Sequence, residues 1–152
     1  FIPKEMSSVQ LTVTINGVPV IVDITGEGST LSSILFDEKE IPSAIVPNDI
    51  NKISKISLKL GETKSPYLNS ANALVIAPIY NKETKTLEFD LESFEGHLIE
   101  LQIVSPTEIQ NIFINETIIS SGVSESLKNN VFEINLRHTS ELKRNHYSIR
   151  FK

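Results

Sequence analysis

The stretch "VQLTVTING" limits the chain's folds more than any other part of the sequence. Val9, Leu11, Val13 and Ile15 alternate with Gln10, Thr12 and Thr14, so apolar and polar side chains fall on opposite faces of an extended strand. Asn16-Gly17 follows, the pair favoured in a two-residue hairpin turn because both central positions need positive φ. "VPVIVDI" reads as the return strand, and "TGEG" closes it with two glycines.

The same period recurs downstream. "STLSSILFD" is a strand ending in a turn at Asp37-Glu38. Pro42 and Pro47 disfavour a helix or a central strand across "IPSAIVPNDI", where Asn48-Asp49 could open one short helical turn. "ISKISLKL" alternates again, with Ile53, Ile56, Leu58 and Leu60 as candidates for burial and a register break near Ser54. Residues 61–72 read as a loop. "ALVIAPIY" and "TKTLEFDLESF" flank the polar "NKETK" as a hairpin with a longer loop. "GHLIELQIVSP", "EIQNIFIN", "ETII", "NNVFEINLRH" and "HYSIRF" complete the set, and helix signals are confined to "SESLKN" and "TSELKRN". The pattern predicts an all-β chain, an antiparallel β-sandwich of about ten to twelve strands. Residues 1–8 read as a linker or cut boundary, and residues 9–152 as the sandwich domain.

"ILFDEKEI" (34–41) returns as "IFINETII" (112–119), a shift of 78 (112 − 34). Gly17 matches Gly96 at a shift of 79 (96 − 17), aligning "VPVIVDI" with "HLIELQI". Leu31, Ile34, Leu35, Phe36, Asp37, Glu38 and Ile41 then meet Ile109, Ile112, Phe113, Ile114, Asn115, Glu116 and Ile119, and later Ile56 and Leu58 meet Ile134 and Leu136. The match is in apolar pattern and turn, whereas the exposed polar residues mostly differ. A degenerate duplication with halves of about 9–60 and 87–138 is therefore read as architecture rather than as two copies of one site. The expected core is Val13, Ile15, Val22, Ile34, Phe36, Ile56, Leu58, Leu101, Ile103, Ile112, Ile114, Ile134 and Leu136.

At 152 residues the chain fits one domain, or two very small ones. A net charge of −5 with scattered lysines argues against nucleic acid or an anionic membrane as the main partner. No apolar run approaches the ~20 residues of a membrane span, so no membrane insertion is expected. With 0 cysteines, disulfides and thiolate metal sites are excluded.

No catalytic constellation is visible in the sequence. His97, His138 and His146 lack metal-ligand spacing and read as structural or solvated. Glu38, Glu95 and Glu116 fall at turns, and Asp90, Glu92 and Glu100 on alternating polar faces, so they read as solvated surface rather than a glycosidase acid pair. No metal site or cofactor is expected, and the chain by itself is not expected to be an enzyme. Asn115-Glu116-Thr117 forms a glycosylation sequon, read here as a coincidence of the turn. Sugar sites favour flat aromatic platforms. There are 0 Trp, and Phe36, Phe89, Phe113, Phe132 and Phe151 lie within strand patterns. Tyr67, Tyr80, Phe94 and Tyr147 lie nearer strand ends or loops and are the candidate sugar contacts.

The run from "LTVTINGVPVIVDITGEGSTLSSILFDEKEI" to "PSAIVPNDINKISKISLKLGE" resembles a segment near the C-termini of bacterial, Bacteroidetes-like glycoside hydrolases, where a β-sandwich follows the catalytic barrel. Gly26, Gly28, Leu31, Ile34, Phe36, Asp37, Lys39, Ile41, Val46, Pro47, Asp49 and Ile50 fit its pattern, and "LEFDLESFEGHLIELQIVSPTEIQNIFINETII" is similar to the tail of such sandwiches. The turn glycine usual in that family is replaced by Glu38 and Glu116, which leaves the turn type open. The resemblance covers most of residues 9–137 and carries over no catalytic residue, because the acids of that family belong to the barrel. It implies a secreted, periplasmic or cell-surface bacterial protein and an accessory role beside the catalytic domain of the same polypeptide. The alternatives are an independent carbohydrate-binding module, with polysaccharide as partner, and a structural domain of a surface adhesin.

Overall fold

The computed structural model describes residues 8–47 and 49–152, and every regular element among them is a strand. Of the linker assigned to residues 1–8, residues 1–7 lie outside the described residues and Ser8 opens the first strand; Asn48, of the expected helical turn, also lies outside them. The described residues form fourteen strands, more than the ten to twelve the pattern predicts. It divides into two compact units, one of residues 8–41 with 47–64 and one of residues 42–46 with 65–152.

The first unit is one five-stranded sheet. Its strands are β1 (Ser8–Ile15), β2 (Val18–Gly26), β3 (Leu31–Phe36), β4 (Lys39–Glu40) and β5 (Ser54–Leu60), in the order β1-β2-β5-β3-β4. Register gathers the apolar residues on one face: Leu11 opposes Val22, Val13 opposes Val20, Val22 runs beside Ile56, and Ile56 opposes Phe36. Val20, Ile34, Ile50 and Ile56 are buried. Val13, expected in the core, is 39% exposed, and its neighbour Leu11 is 47% exposed, because β1 is an edge strand and, among the described strands, pairs with β2 alone. Ile53 is also exposed, since β5 begins one residue later at Ser54. β2 and β5 run parallel, the one departure from antiparallel pairing among the named strands.

The second unit is a two-sheet β-sandwich. One sheet has the order β11-β10-β14-β8-β7, from β11 (Thr117–Ile119), β10 (Ile109–Ile114), β14 (Arg144–Phe151), β8 (Thr86–Glu92) and β7 (Leu74–Asn81). The other has the order β12-β13-β9-β6, from β12 (Val123–Lys128), β13 (Val131–Thr139), β9 (Leu98–Ser105) and β6 (Tyr67–Ala71). Leu87, Phe89, Leu91, Ile112, Tyr147, Ile149 and Phe151 of the first sheet meet Leu68, Ile99, Leu101, Ile103, Ile134 and Leu136 of the second in one core. Each fully buried Leu or Ile there contributes about 1.5–3 kcal/mol from apolar transfer. Neither segment with helical signals is helical. "SESLKN" lies on β12 and its turn, where Asn129 and Asn130 both have positive φ (51° and 62°), and "TSELKRN" bends before β14.

The repeated stretch recurs as a three-strand motif. In β3–β4 and in β10–β11 a two-residue turn has positive φ at both positions, 47° and 68° at Asp37-Glu38 and 48° and 67° at Asn115-Glu116. The two turns are thus alike in φ although glutamate stands where glycine is usual. Each is tied to a third strand in the same way. Asp37 N–H donates to the Lys55 carbonyl and its Oδ1 accepts from Lys55 N–H, both at 2.8 Å. Asn115 N–H donates to the His146 carbonyl and its Oδ1 accepts from His146 N–H, both at 2.9 Å. The third strands are β5 and β14, so "SKISLKL" corresponds to "NHYSIRF" at a shift of 91 (146 − 55). The equivalents of Ile56 and Leu58 are therefore Tyr147 and Ile149, not Ile134 and Leu136, which lie on β13 in the other sheet.

Candidate functional site

Four connections meet at one end of the sandwich. β6–β7, β8–β9 and β13–β14 each cross between the sheets there, and the β10–β11 turn lies beside them. The loops are laced together by main-chain bonds: Ser93 N–H to the Lys143 carbonyl (2.8 Å), Gly96 N–H to Ser140 (2.9 Å) and Ser140 N–H to His97 (2.8 Å). Asn72 supports them from the third connection, its side-chain amide donating to the Leu98 carbonyl and its Oδ1 accepting from Glu100 N–H.

A buried amide fixes the β13–β14 loop. Asn145 Nδ2 donates to Ser140 Oγ (2.8 Å) and to the Leu142 carbonyl (2.9 Å), while its Oδ1 accepts from Asn115 Nδ2 (2.8 Å). Each of its polar groups therefore has a partner, as burial demands. Beneath the loops, Tyr147 of one sheet donates its hydroxyl proton to Nε2 of His138 on the other. Nδ1–H of His138 donates to the Thr139 carbonyl, which leaves Nε2 as the acceptor. Burial pushes the His138 imidazole below its usual range and the Tyr147 hydroxyl above its own. Neutral histidine and neutral tyrosine are thus the matched pair.

On this rigid base sit apolar side chains that no layer covers. Phe94 is 68% exposed and Leu142 51%, on the two interlocked loops, and Leu98 and Leu74 are exposed where their strands leave the same end. The Phe94 ring leans on the His97 imidazole with centroids 4.7 Å apart. Lys143 and Glu92 form an ion pair at the rim (3.6 Å). An exposed aromatic held by a hydrogen-bonded loop pair, with aliphatic neighbours and a charged rim, suits contact with another surface.

The four candidate sugar contacts separate. Phe94 is the one presented at the loop end. Tyr147 is fully buried (0%), stacked on Phe89 with centroids 5.1 Å apart, and cannot touch a ligand. Tyr67 is also buried, because β6 pairs with β9 and sets Tyr67 opposite the buried Val104. Tyr80 is half-buried, edge-on to Phe151, on the far side of β7 from Leu74. The residues that the sequence reading missed are Leu98 and Leu142, whose apolar character alone gave no sign of exposure.

Other polar groups are spread over open faces. Asp90 accepts from Arg144 Nε (2.8 Å) and His146 Nδ1 (2.7 Å) on the outer face of the sandwich's five-stranded sheet. Partial burial raises its carboxyl, but the hydrogen bonds from His146 and Arg144 outweigh this and hold it below the usual carboxylate range. On the outer face of the four-stranded sheet, Asn69 Nδ2 donates to Gln102 Oε1 (2.7 Å) and Gln102 Nε2 to Asn135 Oδ1 (3.1 Å), beside the Glu100–Arg137 pair (2.8 Å). A cleft of about 470 Å³ opens between the edges of β10–β11 and β12, with Ile109, Ile118 and Val123 on its walls and Glu125 bound to Ile109 N–H. Among the described residues no three His, Asp or Glu side chains gather as a metal site requires.

No protein-family model, curated protein or solved structure matches the chain.

Proposed function

We propose that this chain is a non-catalytic accessory module of an exported bacterial carbohydrate-active enzyme, and that the loop end of its sandwich packs on the catalytic domain of the same polypeptide. The observation that carries this reading is the exposure of Phe94, Leu98 and Leu142 at the same loop end, on a base that four connections and the buried Asn145 hold in place. Rigid apolar loops lose little conformational freedom on docking, so their burial is converted efficiently into affinity. The resemblance of the repeated strand-turn pattern to sandwich segments that follow catalytic barrels agrees with such a role.

A second reading, an independent carbohydrate-binding module, draws on the amide row Asn69–Gln102–Asn135, which presents donors and acceptors of the kind that hydroxyl-rich ligands use. Isothermal titration against a panel of plant and host polysaccharides separates the two. The accessory reading expects no affinity tighter than about millimolar, for the wild type and for Phe94→Ala alike. Tighter binding, lost in Gln102→Ala or Phe94→Ala variants that remain folded, would replace it with the second.

A further inference from the structure

Among the described residues the edges of the three sheets are protected in all but one case. β4 has two residues, both charged, and β11 has three. β7 carries Pro78 and a bulge, with Ala77 at a φ of 49°. β12 carries Glu125 and Lys128. The outer side of β6 is taken by the preceding segment, Leu68 N–H donating to the Pro42 carbonyl and Ala44 N–H to the Leu68 carbonyl, both at 2.9 Å. These are the devices by which proteins prevent a sheet edge from recruiting another strand. β1 has none of them. It is eight residues long, "SVQLTVTI", without charge, proline or bulge, and it pairs residue for residue with β2.

Its open side has a defined hydrogen-bonding face. Ile15 opposite Val18 closes the two-residue hairpin, so Ile15, Val13, Leu11 and Val9 exchange main-chain bonds with β2. The N–H and C=O groups of Gln10, Thr12 and Thr14 therefore point away from β2. We infer that β1 pairs antiparallel with β1 of a second copy of this chain, with Thr12 on the two-fold axis, joining two five-stranded sheets edge to edge. In that register Thr12 faces Thr12 and Gln10 faces Thr14, each pair exchanging two main-chain bonds. Leu11 of each copy faces Val13 of the other.

The strand's own pattern selects this partner. Shifting the register by an odd number of residues would set apolar against polar side chains. Of the registers that keep like with like, the one centred on Thr12 sets the two most exposed large apolar side chains on the strands of this sheet, Leu11 and Val13, against each other twice. A two-fold interface requires such self-complementarity. The absence of charge on β1 also means that no like charges are brought together at the axis.

The test is the association state of the whole chain, by sedimentation velocity across a wide concentration range. A reversible dimer is expected. Thr12→Pro removes a donor on the open side without touching the ladder to β2, and it should shift dissociation to at least tenfold higher concentration with the circular dichroism of the monomer unchanged. Val13→Lys, which puts like charges near the axis, should do the same and stands in if the proline variant misfolds. Paired Cα atoms of this kind lie ~5.5 Å apart, within disulfide range, and the native chain has 0 cysteines. Thr12→Cys should therefore oxidise to a linked dimer well ahead of Leu11→Cys or Thr14→Cys. A monomer at all concentrations overturns the proposal, as does a dimer that both Thr12→Pro and Val13→Lys leave intact. Faster linking through Leu11→Cys or Thr14→Cys overturns the Thr12 register. Exchange protection of the Gln10, Thr12 and Thr14 amides in a monomer would give the edge to another segment, and would overturn it too.

Discussion

Tyr147→Phe removes one hydroxyl and nothing else, so it isolates the hydrogen bond that joins the two sheets beneath the loop end. The ring of residue 147 keeps its stack on Phe89, while His138 Nε2 loses its donor in a half-buried position. A net hydrogen bond is worth ~0.5–1.5 kcal/mol, and an acceptor left without a partner adds a desolvation cost, so we expect a loss of about 1–2 kcal/mol. Tyr147→Ala removes the ring as well and should cost a further ~3 kcal/mol or more through the cavity it leaves. All 3 tyrosines, Tyr67, Tyr80 and Tyr147, belong to the sandwich unit, and there is no Trp, so tyrosine fluorescence during urea unfolding reports that unit alone. Tyr67 and Tyr80 remain as reporters in both variants. A Tyr147→Phe variant as stable as the wild type at neutral pH would show that the cross-sheet bond contributes nothing. Tolerance of Tyr147→Ala would remove Tyr147 from the core altogether.

Four further outcomes are expected. Because burial depresses the folded pKa of His138, the unfolded chain takes up the proton first as pH falls below ~6.5. The contribution is complete above that value and declines towards the folded pKa, so unfolding curves from pH 8 to 5 should show it, and a His138→Gln variant should lose it. Gly122→Ala should be severely destabilising, since a Cβ there falls 2.1 Å from the Arg137 carbonyl oxygen, whereas Gly17→Ala meets nothing and should cost only ~1–2 kcal/mol of left-handed strain. Comparative melting by circular dichroism checks both. Ile34→Ala and Ile112→Ala, equivalent in the repeated motif and both buried, should each cost roughly 2–5 kcal/mol in denaturant titrations. Only Ile112→Ala should move the tyrosine-monitored transition if the two units unfold independently.

Much of the fold could be read from the sequence because period-two alternation and two-residue turns act locally. Val9 to Ile15 with Asn16-Gly17 is a hairpin on any reading, and it is one in the structure. "SESLKN" was misleading because Ser, Glu and Lys also populate helices, although Asn129-Asn130 after it carried the turn signal that decides the strand. The second half of the repeat was harder to follow. The inserted β12–β13 hairpin changes the shift from 78 to 91, so a fixed-register comparison finds β13 where β14 is the true counterpart. The candidate site was legible only at Phe94. Tyr147 belongs to the alternation Tyr147, Ile149, Phe151, which marks it as inward; its place near the strand's end, beside the polar loop, made it a candidate contact instead. Tyr67 is buried by pairing with β9, some thirty residues on, and no local pattern encodes that.

The docking of the loop end is tested most directly by hydrogen exchange, comparing the isolated chain with the complete polypeptide that its gene encodes. If the accessory reading is right, that polypeptide contains a catalytic domain, and residues 93–98 and 140–143 exchange markedly more slowly within it than in the isolated chain. Equal exchange of these loops in both forms would contradict the account, as would an open reading frame that encodes this chain and no catalytic domain.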